Sequence, residues 1–472
     1  MYLGLDLGTS SLKALVVDED QRIRAEATAP LTVARPHSGW SEQDPASWIT
    51  ACAAAVGALD CDKTAIRGIG LAGHMHGATL VGADGRALRP CMLWNDTRAA
   101  AQAADLDDTK GREVTGNIVF PGFTAPKMAW VQAEEGGVAA ACRKILLPKD
   151  FLRLWLTGEA VSEMSDAAGT AWLDTGARDW SGALLARQGL TGDHMPRLVE
   201  GSEVSGALRA EVAAELGLRA DIPVAGGAGD NAAAAIGTGA VTPGQGFVSL
   251  GTSGVLFVSS AAFQPDADSA VHTFCHAVPN TWHQMGVILS ATDSLEWAAR
   301  VTGRSAAELS IGDMTAPGRA LFLPYLGGER TPHNDAAVRG ALLGIEHATD
   351  ATALARAVME GVAYAFRDSY DALRSTGTPV DRLLAVGGGA RSILWLRMIA
   401  TLLGHPLEVP KDGAFGAALG ACRLAMMADG AGPEVATAPE IATTVEPDTM
   451  LQDAFAEGHG RFAAAYQATR SF

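Results

Sequence analysis

Positive charge is in short supply in this chain. Its 472 residues carry 36 Lys+Arg against 53 Asp+Glu, a net charge of −17. Nucleic acids and anionic membranes attract basic surfaces, so neither is expected as a partner. Cysteine is sparse as well. Six are scattered without a CxxC pair, which excludes a disulfide framework and suits a reduced, cytoplasmic compartment. Long apolar runs are missing. The Ala/Gly-rich stretch 231–246 comes nearest, but it is built of small residues and holds Pro243, so no membrane span is expected. The first residues lack the basic segment of a signal peptide. No lysine follows a glycine, which removes the Gly-Lys-Ser/Thr phosphate loop. What is present is a globular composition, 48% hydrophobic and 19% charged, long enough for two or three domains.

Strand and helix signals alternate, which predicts an α/β fold. Strands are expected at 3–6, 12–17, 66–71 and 79–81, with a hairpin signal at Asp84-Gly85. Asp44-Pro45 predicts a helix start, Asp as cap and Pro in the first turn. One pattern occurs twice. Leu7-Gly8-Thr9-Ser10 and Leu250-Gly251-Thr252-Ser253 each sit between two β-runs, 243 residues apart. This predicts two domains of similar plan, 1–243 and 244–428, with Pro243-Gly244 at the boundary. Residues 429–472 are too few for a domain and are expected to pack back.

The two Gly turns suit phosphate, since tight turns present several N–H donors and Thr/Ser hydroxyls add more. Asp6, just before the first turn, is placed to hold Mg²⁺ or its water near a triphosphate, and Lys13 to neutralise a phosphate. Asp230 follows a Gly-rich turn and precedes a small-residue helix. It reads as a helix cap, as a general base on an alcohol, or as both. The same turn fits G-x-G-x-x-A at Gly227, Gly229 and Ala232, but the acid expected about 20 residues on is missing, which counts against a dinucleotide site. Gly387-Gly388-Gly389-Ala390, after a β-run and before a helix at 393–403, lets a nucleoside approach backbone. A second small-residue helix at 413–425 is expected beneath that loop. The loops Gly73–Gly77 and Trp94–Arg98 suit a polar sugar pocket. His74 with His76, and His272 with Cys275 and His276, lack third and fourth ligands for zinc.

With these motifs stand Trp40-Ser41-Glu42-Gln43-Asp44-Pro45, Met75-His76-Gly77, Trp94-Asn95-Asp96, Pro121–Lys127, Ser165–Thr170, Gly229-Asp230-Asn231 and Gly328-Glu329-Arg330-Thr331-Pro332-His333. Together, over residues 3 to about 424, the sequence resembles the FGGY carbohydrate kinases. The resemblance implies two actin-like, ribonuclease-H-fold ATPase domains with a cleft for ATP and sugar between them. It implies Asp230 as the base and Met75 and His76 as sugar contacts, with Trp94, Asp96 and Asn231 on the sugar side. Asp6 would lie near Mg²⁺. Thr9, Ser10, Lys13, Gly251 and Thr252 would meet phosphate, and Gly388, Gly389 and Ala390 the nucleoside. The implied reaction is ATP-dependent phosphorylation of a ketopentose, D-xylulose at O5 foremost, with another pentulose, a polyol or glycerol as alternatives. A non-catalytic actin-like nucleotide switch is the alternative of another class. A homodimer is also implied. Three positions depart from the family pattern: His74 where Gln is usual, and Ala133 and Ala353 where polar residues are common.

Overall fold

The computed structural model describes residues 1–411 and 416–471. Two seven-stranded sheets organise it, and their central strands repeat one plan. In the first sheet Tyr2–Leu7 and Ser11–Val17 form an antiparallel hairpin continued by Ile23–Pro30, while Gly68–Gly73 runs parallel to Tyr2–Leu7. In the second, Gln245–Leu250 and Gly254–Ser260 form the hairpin, continued by Trp282–Ile288, and Arg382–Val386 is the parallel neighbour. The repeated Leu-Gly-Thr-Ser therefore marks equivalent turns of two related sheets.

Local signals explain the main elements. Asp44 caps the helix Pro45–Gly57, its carboxylate accepting the Ala46 N–H at 3.0 Å. Ser392 caps Ile393–Leu403 by accepting the Trp395 N–H at 3.2 Å. Asp84-Gly85 makes a turn, but strand Thr79–Val81 finds its main partner in Lys144–Leu146. Alternation along Tyr2–Leu7 sends Leu3, Leu5 and Leu7 into a core with Trp48 and Val56. The other face presents Tyr2, Gly4 and Asp6.

That second face corrects one expectation. The small-residue helix predicted over 413–425 runs Ala417–Ala428, and 413–415 lie outside the described residues. Its main contacts are with the first sheet and the helix Asp230–Thr238, rather than with the 387–389 glycines. Small residues serve this crossing. A Cβ on Gly70 would lie 1.8 Å from the Ala421 carbonyl oxygen, one on Gly4 2.2 Å from that of Ala418, and one on Gly420 1.8 Å from that of Ala233. Residues from the end of the second half thus cover the first sheet. Beyond them, strand Ile441–Val445 pairs with Leu407–Pro410 as an edge of the second sheet, and helix Gln452–Thr469 packs on Ile393–Leu403. Among the described residues no helix is long and apolar enough to cross a membrane.

The crossing makes a stability prediction. Gly420→Ala should cost about 1–3 kcal/mol, because backbone must move to admit the methyl. Gly460→Ala, at an exposed position of helix Gln452–Thr469 with open space around it, should be neutral or gain up to about 1 kcal/mol. Thermal unfolding of the two variants beside wild type measures the contrast.

Candidate active site

The first hairpin turn is pinned from outside its own strands. Gln43 Nε2 donates to the Thr9 carbonyl at 2.7 Å, and Trp94 Nε1 donates to Thr9 Oγ1 at 3.1 Å. Thr9 and Trp94, 85 residues apart, are thereby neighbours, with Trp94 exposed. Ser10 is exposed on the same turn. Asp6 and Lys13 are cross-strand partners, and Lys13 also pairs with Glu26 at 2.8 Å.

Asp230 stands at the start of helix Asp230–Thr238, but it is not the cap expected from sequence. Gly229 occupies the cap position, and the Asp230 carboxylate turns to its neighbour. Its Oδ1 accepts from the Asn231 backbone N–H at 2.7 Å and from Asn231 Nδ2 at 3.0 Å. Those bonds favour the charged form, yet burial outweighs them and raises the carboxyl pKa to about 6. Asp6 is raised further, to about 7, by burial and by the negative charge of Asp230, against the pull of Lys13. The structure therefore brings together two half-buried carboxylates, with the charge of Asp230 acting on Asp6.

Met75 and His76 lie alongside. A Cβ on Gly229 would approach Met75 Cγ to 2.8 Å, so glycine there lets the methionine close over the residue before Asp230. His76 takes a left-handed backbone, φ 69°, and stacks on Phe123 with ring centroids 4.6 Å apart. Its Nδ1 is 2.7 Å from the Gly169 carbonyl oxygen, which assigns the proton to Nδ1 and leaves Nε2 as an acceptor. Burial lowers its pKa to about 3, so the ring is neutral. His74 points into the core instead, packed edge-on to Trp48 at 5.9 Å. Asp96 differs again. It is fully buried, and its oxygens accept from the Arg98 guanidinium and from the backbone N–H groups of Ser41 and Arg98. The carboxylate is saturated and holds the loop that presents Trp94.

The sequence reading gave no role to the groups that fix these loops. Lys127, fully buried, donates to the carbonyls of His76 and Gly122 at 2.9 and 2.6 Å. Burial pulls its pKa down to about 7. Beneath Asp230 lie Lys149, Asp150, Arg153, Glu163 and Asp166, all without solvent exposure. Arg153 donates to the carbonyls of Ala225 and Gly226 at 2.6 and 2.5 Å, and Ser165 Oγ accepts the Gly229 N–H at 3.0 Å. Charged residues inside the otherwise apolar Pro-Lys-Asp-Phe-Leu-Arg-Leu-Trp-Leu segment were the available signal.

The second hairpin gathers the other expected residues. Gly251 and Thr252 carbonyls accept N–H groups at the start of helix Thr292–Thr302. Gly387, with φ 90°, lets its loop lie against Leu250, and Gly389 abuts Leu250 and Thr292. Gly388 and Gly389 line a cavity of about 710 Å³ with Thr292, Glu296, Ile311 and Arg391, and Ala390 is buried beside it. That volume suits a drug-sized ligand.

Residues 1–237 match the N-terminal domain and residues 246–428 the C-terminal domain of the FGGY family of carbohydrate kinases. This chain belongs to that family. It is similar to xylulose kinase of Escherichia coli (strain K12), 48% identical over 92% of this chain and 91% of that protein. It is similar in structure to a xyloylose kinase from Brucella ovis, with TM-score 0.97 and 57% identity over 100% of this chain and 99% of the other. A xylulose kinase from Rhodospirillum rubrum gives TM-score 0.90 and 28% identity, covering 99% and 98%.

As an FGGY kinase the chain is an ATP-using phosphotransferase, and its two-sheet architecture is the actin-like fold of its structural neighbours. The raised carboxyls of this kinase carry a stability consequence. A carboxyl whose folded pKa exceeds its unfolded value near 3.9 costs nothing below that pH and progressively more as pH rises through its folded pKa. Asp230→Asn should therefore unfold at the same temperature as wild type near pH 4. At pH 8 it should be more stable by about 1–3 kcal/mol. Thermal melts at the two pH values check this, and a gain confined to acid pH would reverse the sign.

Proposed function

We propose that this kinase transfers the γ-phosphoryl group of ATP to O5 of D-xylulose, giving D-xylulose 5-phosphate. The observation that carries the reading is the Asp230 carboxylate, half-buried, oriented by Asn231 and with a pKa near 6. At neutral pH it is ionised yet basic enough to take the proton of a sugar hydroxyl as that oxygen attacks phosphorus. The similarity to xylulose kinases supports the choice of sugar. Met75, His76, Trp94 and Asn231 line the sugar side. Asp96 acts at one remove by holding the Trp94 loop.

The two hairpin turns, through Thr9, Ser10, Gly251 and Thr252, supply N–H and hydroxyl donors to the phosphates, with Lys13 adding positive charge. Gly388, Gly389 and Ala390 border the nucleoside. Asp6 fits a magnesium ion: an oxygen donor, strained by burial and by the charge of Asp230. Mg²⁺ held through Asp6, directly or through water, supplies neutralisation of phosphate charge. Sugar recognition falls to residues 1–243 and nucleotide recognition to 244–428, with 429–472 bracing the second half. From the resemblance, the active form is a cytoplasmic homodimer.

Asp230→Ala should lower kcat by about 10²–10⁴-fold in an ADP-release assay with D-xylulose, while ATP binding and a cooperative melt are retained. A loss under tenfold would remove Asp230 from the role of base. In wild type, kcat/KM should fall about tenfold per unit as pH drops below about 6, because the base must be deprotonated. A flat profile between pH 5 and 7 would contradict it. Across D-xylulose, D-ribulose and glycerol, D-xylulose should give the highest kcat/KM.

A further inference from the structure

The Gly328–His333 segment belongs to the second half, yet one of its side chains reaches the sugar side of the first. Glu329 and Thr331 are buried anchors. Glu329 Oε1 accepts the Leu289 N–H at 3.0 Å, and Thr331 Oγ1 accepts the Val287 N–H at 3.0 Å and donates to the Ala270 carbonyl at 3.0 Å. Arg330, between them, takes the opposite direction. Its guanidinium lies 4.3 Å from the centroid of the Phe120 ring, and Nη1 is 3.2 Å from His272 Nε2.

The His272 proton is assigned by its other side. Asn117 Nδ2 donates to the carbonyls of Thr115 and Thr273, both at 2.8 Å, so its Oδ1 is the acceptor 3.2 Å from His272 Nδ1. Nδ1 therefore carries the proton, and Nε2 accepts from Arg330. One guanidinium N–H is used in this way. Among the described residues the remaining side-chain N–H groups of Arg330 have no partner, and the residue is half-buried, so they face reachable space.

A row of contacts leads away from Asp230. Asp230 adjoins Gly229 under Met75; His76 comes next and stacks on Phe123; Phe123 and Phe120 are 5.5 Å apart; Phe120 bears Arg330. His76, Phe123 and Phe120 thus stand in turn between Met75 and Arg330 along this row of contacts. A ketopentose whose O5 meets Asp230 directs its other end, the C2 ketone and C1 hydroxyl, along this row.

We propose, resting on the D-xylulose reading, that Arg330 recognises the ketone end of the sugar by donating to the C2 carbonyl oxygen. Arginine is a donor only. A carbonyl oxygen accepts and needs nothing in return. The C2 hydroxyl of a pentitol also accepts, but its own hydrogen must find an acceptor against guanidinium and the phenylalanine rings, while His76 Nε2 is left for a neighbouring hydroxyl. An unsatisfied donor there penalises the polyol. Arg330 is in this account a specificity-determining residue that sets ketose over polyol.

The test compares the KM and kcat for D-xylulose with the competitive Ki of xylitol, which differs by a C2 hydroxyl in place of the ketone. Wild type, Arg330→Met and Arg330→Lys are measured together. Arg330→Met should raise the D-xylulose KM on the order of 10- to 100-fold, with the xylitol Ki within about threefold of wild type. Arg330→Lys, which keeps a charged donor, should recover part of the preference. Should Arg330→Met fail to melt cooperatively, the Lys variant and Arg330→Gln carry the comparison. Equal weakening of both ligands, or an unchanged D-xylulose KM, would make Arg330 a bridge between the halves and overturn the proposal. A wild type inactive on every ketose overturns this and the D-xylulose reading together, whereas an active wild type whose variants keep the preference overturns this one alone.

Discussion

The crossing of helix Ala417–Ala428 with helix Asp230–Thr238 and the first sheet is the contact on which the site depends. Backbone meets backbone there because Gly4, Gly70, Gly237 and Gly420 leave no side chain in the way. One helix begins with Asp230, and the other arrives from the end of the second half. The same packing that joins the halves thus fixes where Asp230 stands relative to Asp6. Close-packed interiors transmit displacement rather than absorb it, so a shift at this crossing is a shift of the two carboxylates.

Beneath the Asp230 loop the molecule tolerates a second constraint. Two cations and three carboxylates are packed without solvent among Lys149, Asp150, Arg153, Glu163 and Asp166. Burial, with Asp150 and Glu163 adding to it, holds the Asp166 carboxyl well above its usual range against the pull of Lys149. Buried ion clusters seldom add stability over apolar packing. This one supplies directed bonds instead, since Arg153 and Ser165 hold the carbonyls and N–H of the 225–229 loop. Above it, desolvation dominates the hydrogen bonds from Asn231, and Asp230 remains both ionised near neutral pH and basic.

Much of the fold was legible because its signals are local. The two Leu-Gly-Thr-Ser turns, the Asp44-Pro45 helix start and the helix expected at 393–403 each involve residues a few positions apart, and each appears in the structure. Asp230 as a cap was misread, since a strand–glycine–Asp–helix pattern does not say whether the carboxylate turns to the helix or to its neighbour. The place of helix Ala417–Ala428 was misread for a different reason. Its small residues announce a close approach without naming the surface approached, which lies some 350 to 415 residues away in sequence at Gly4 and Gly70.

The contrast between Asp96 and Asp230 separates what each level decides. The sequence by itself determined that a carboxylate stands at each position, that Leu-Gly-Thr-Ser occurs twice between β-runs, and which family the pattern resembles. Tertiary structure alone decided that Asp96 is saturated by Arg98 and Ser41, while Asp230 keeps an open oxygen in a desolvated place. It alone carried Arg330 from the second half to Phe120 and His272. The physical reason is the same in each case. Residue type fixes which charges and donors exist, but burial and partners distant in sequence fix which of them remain free to act.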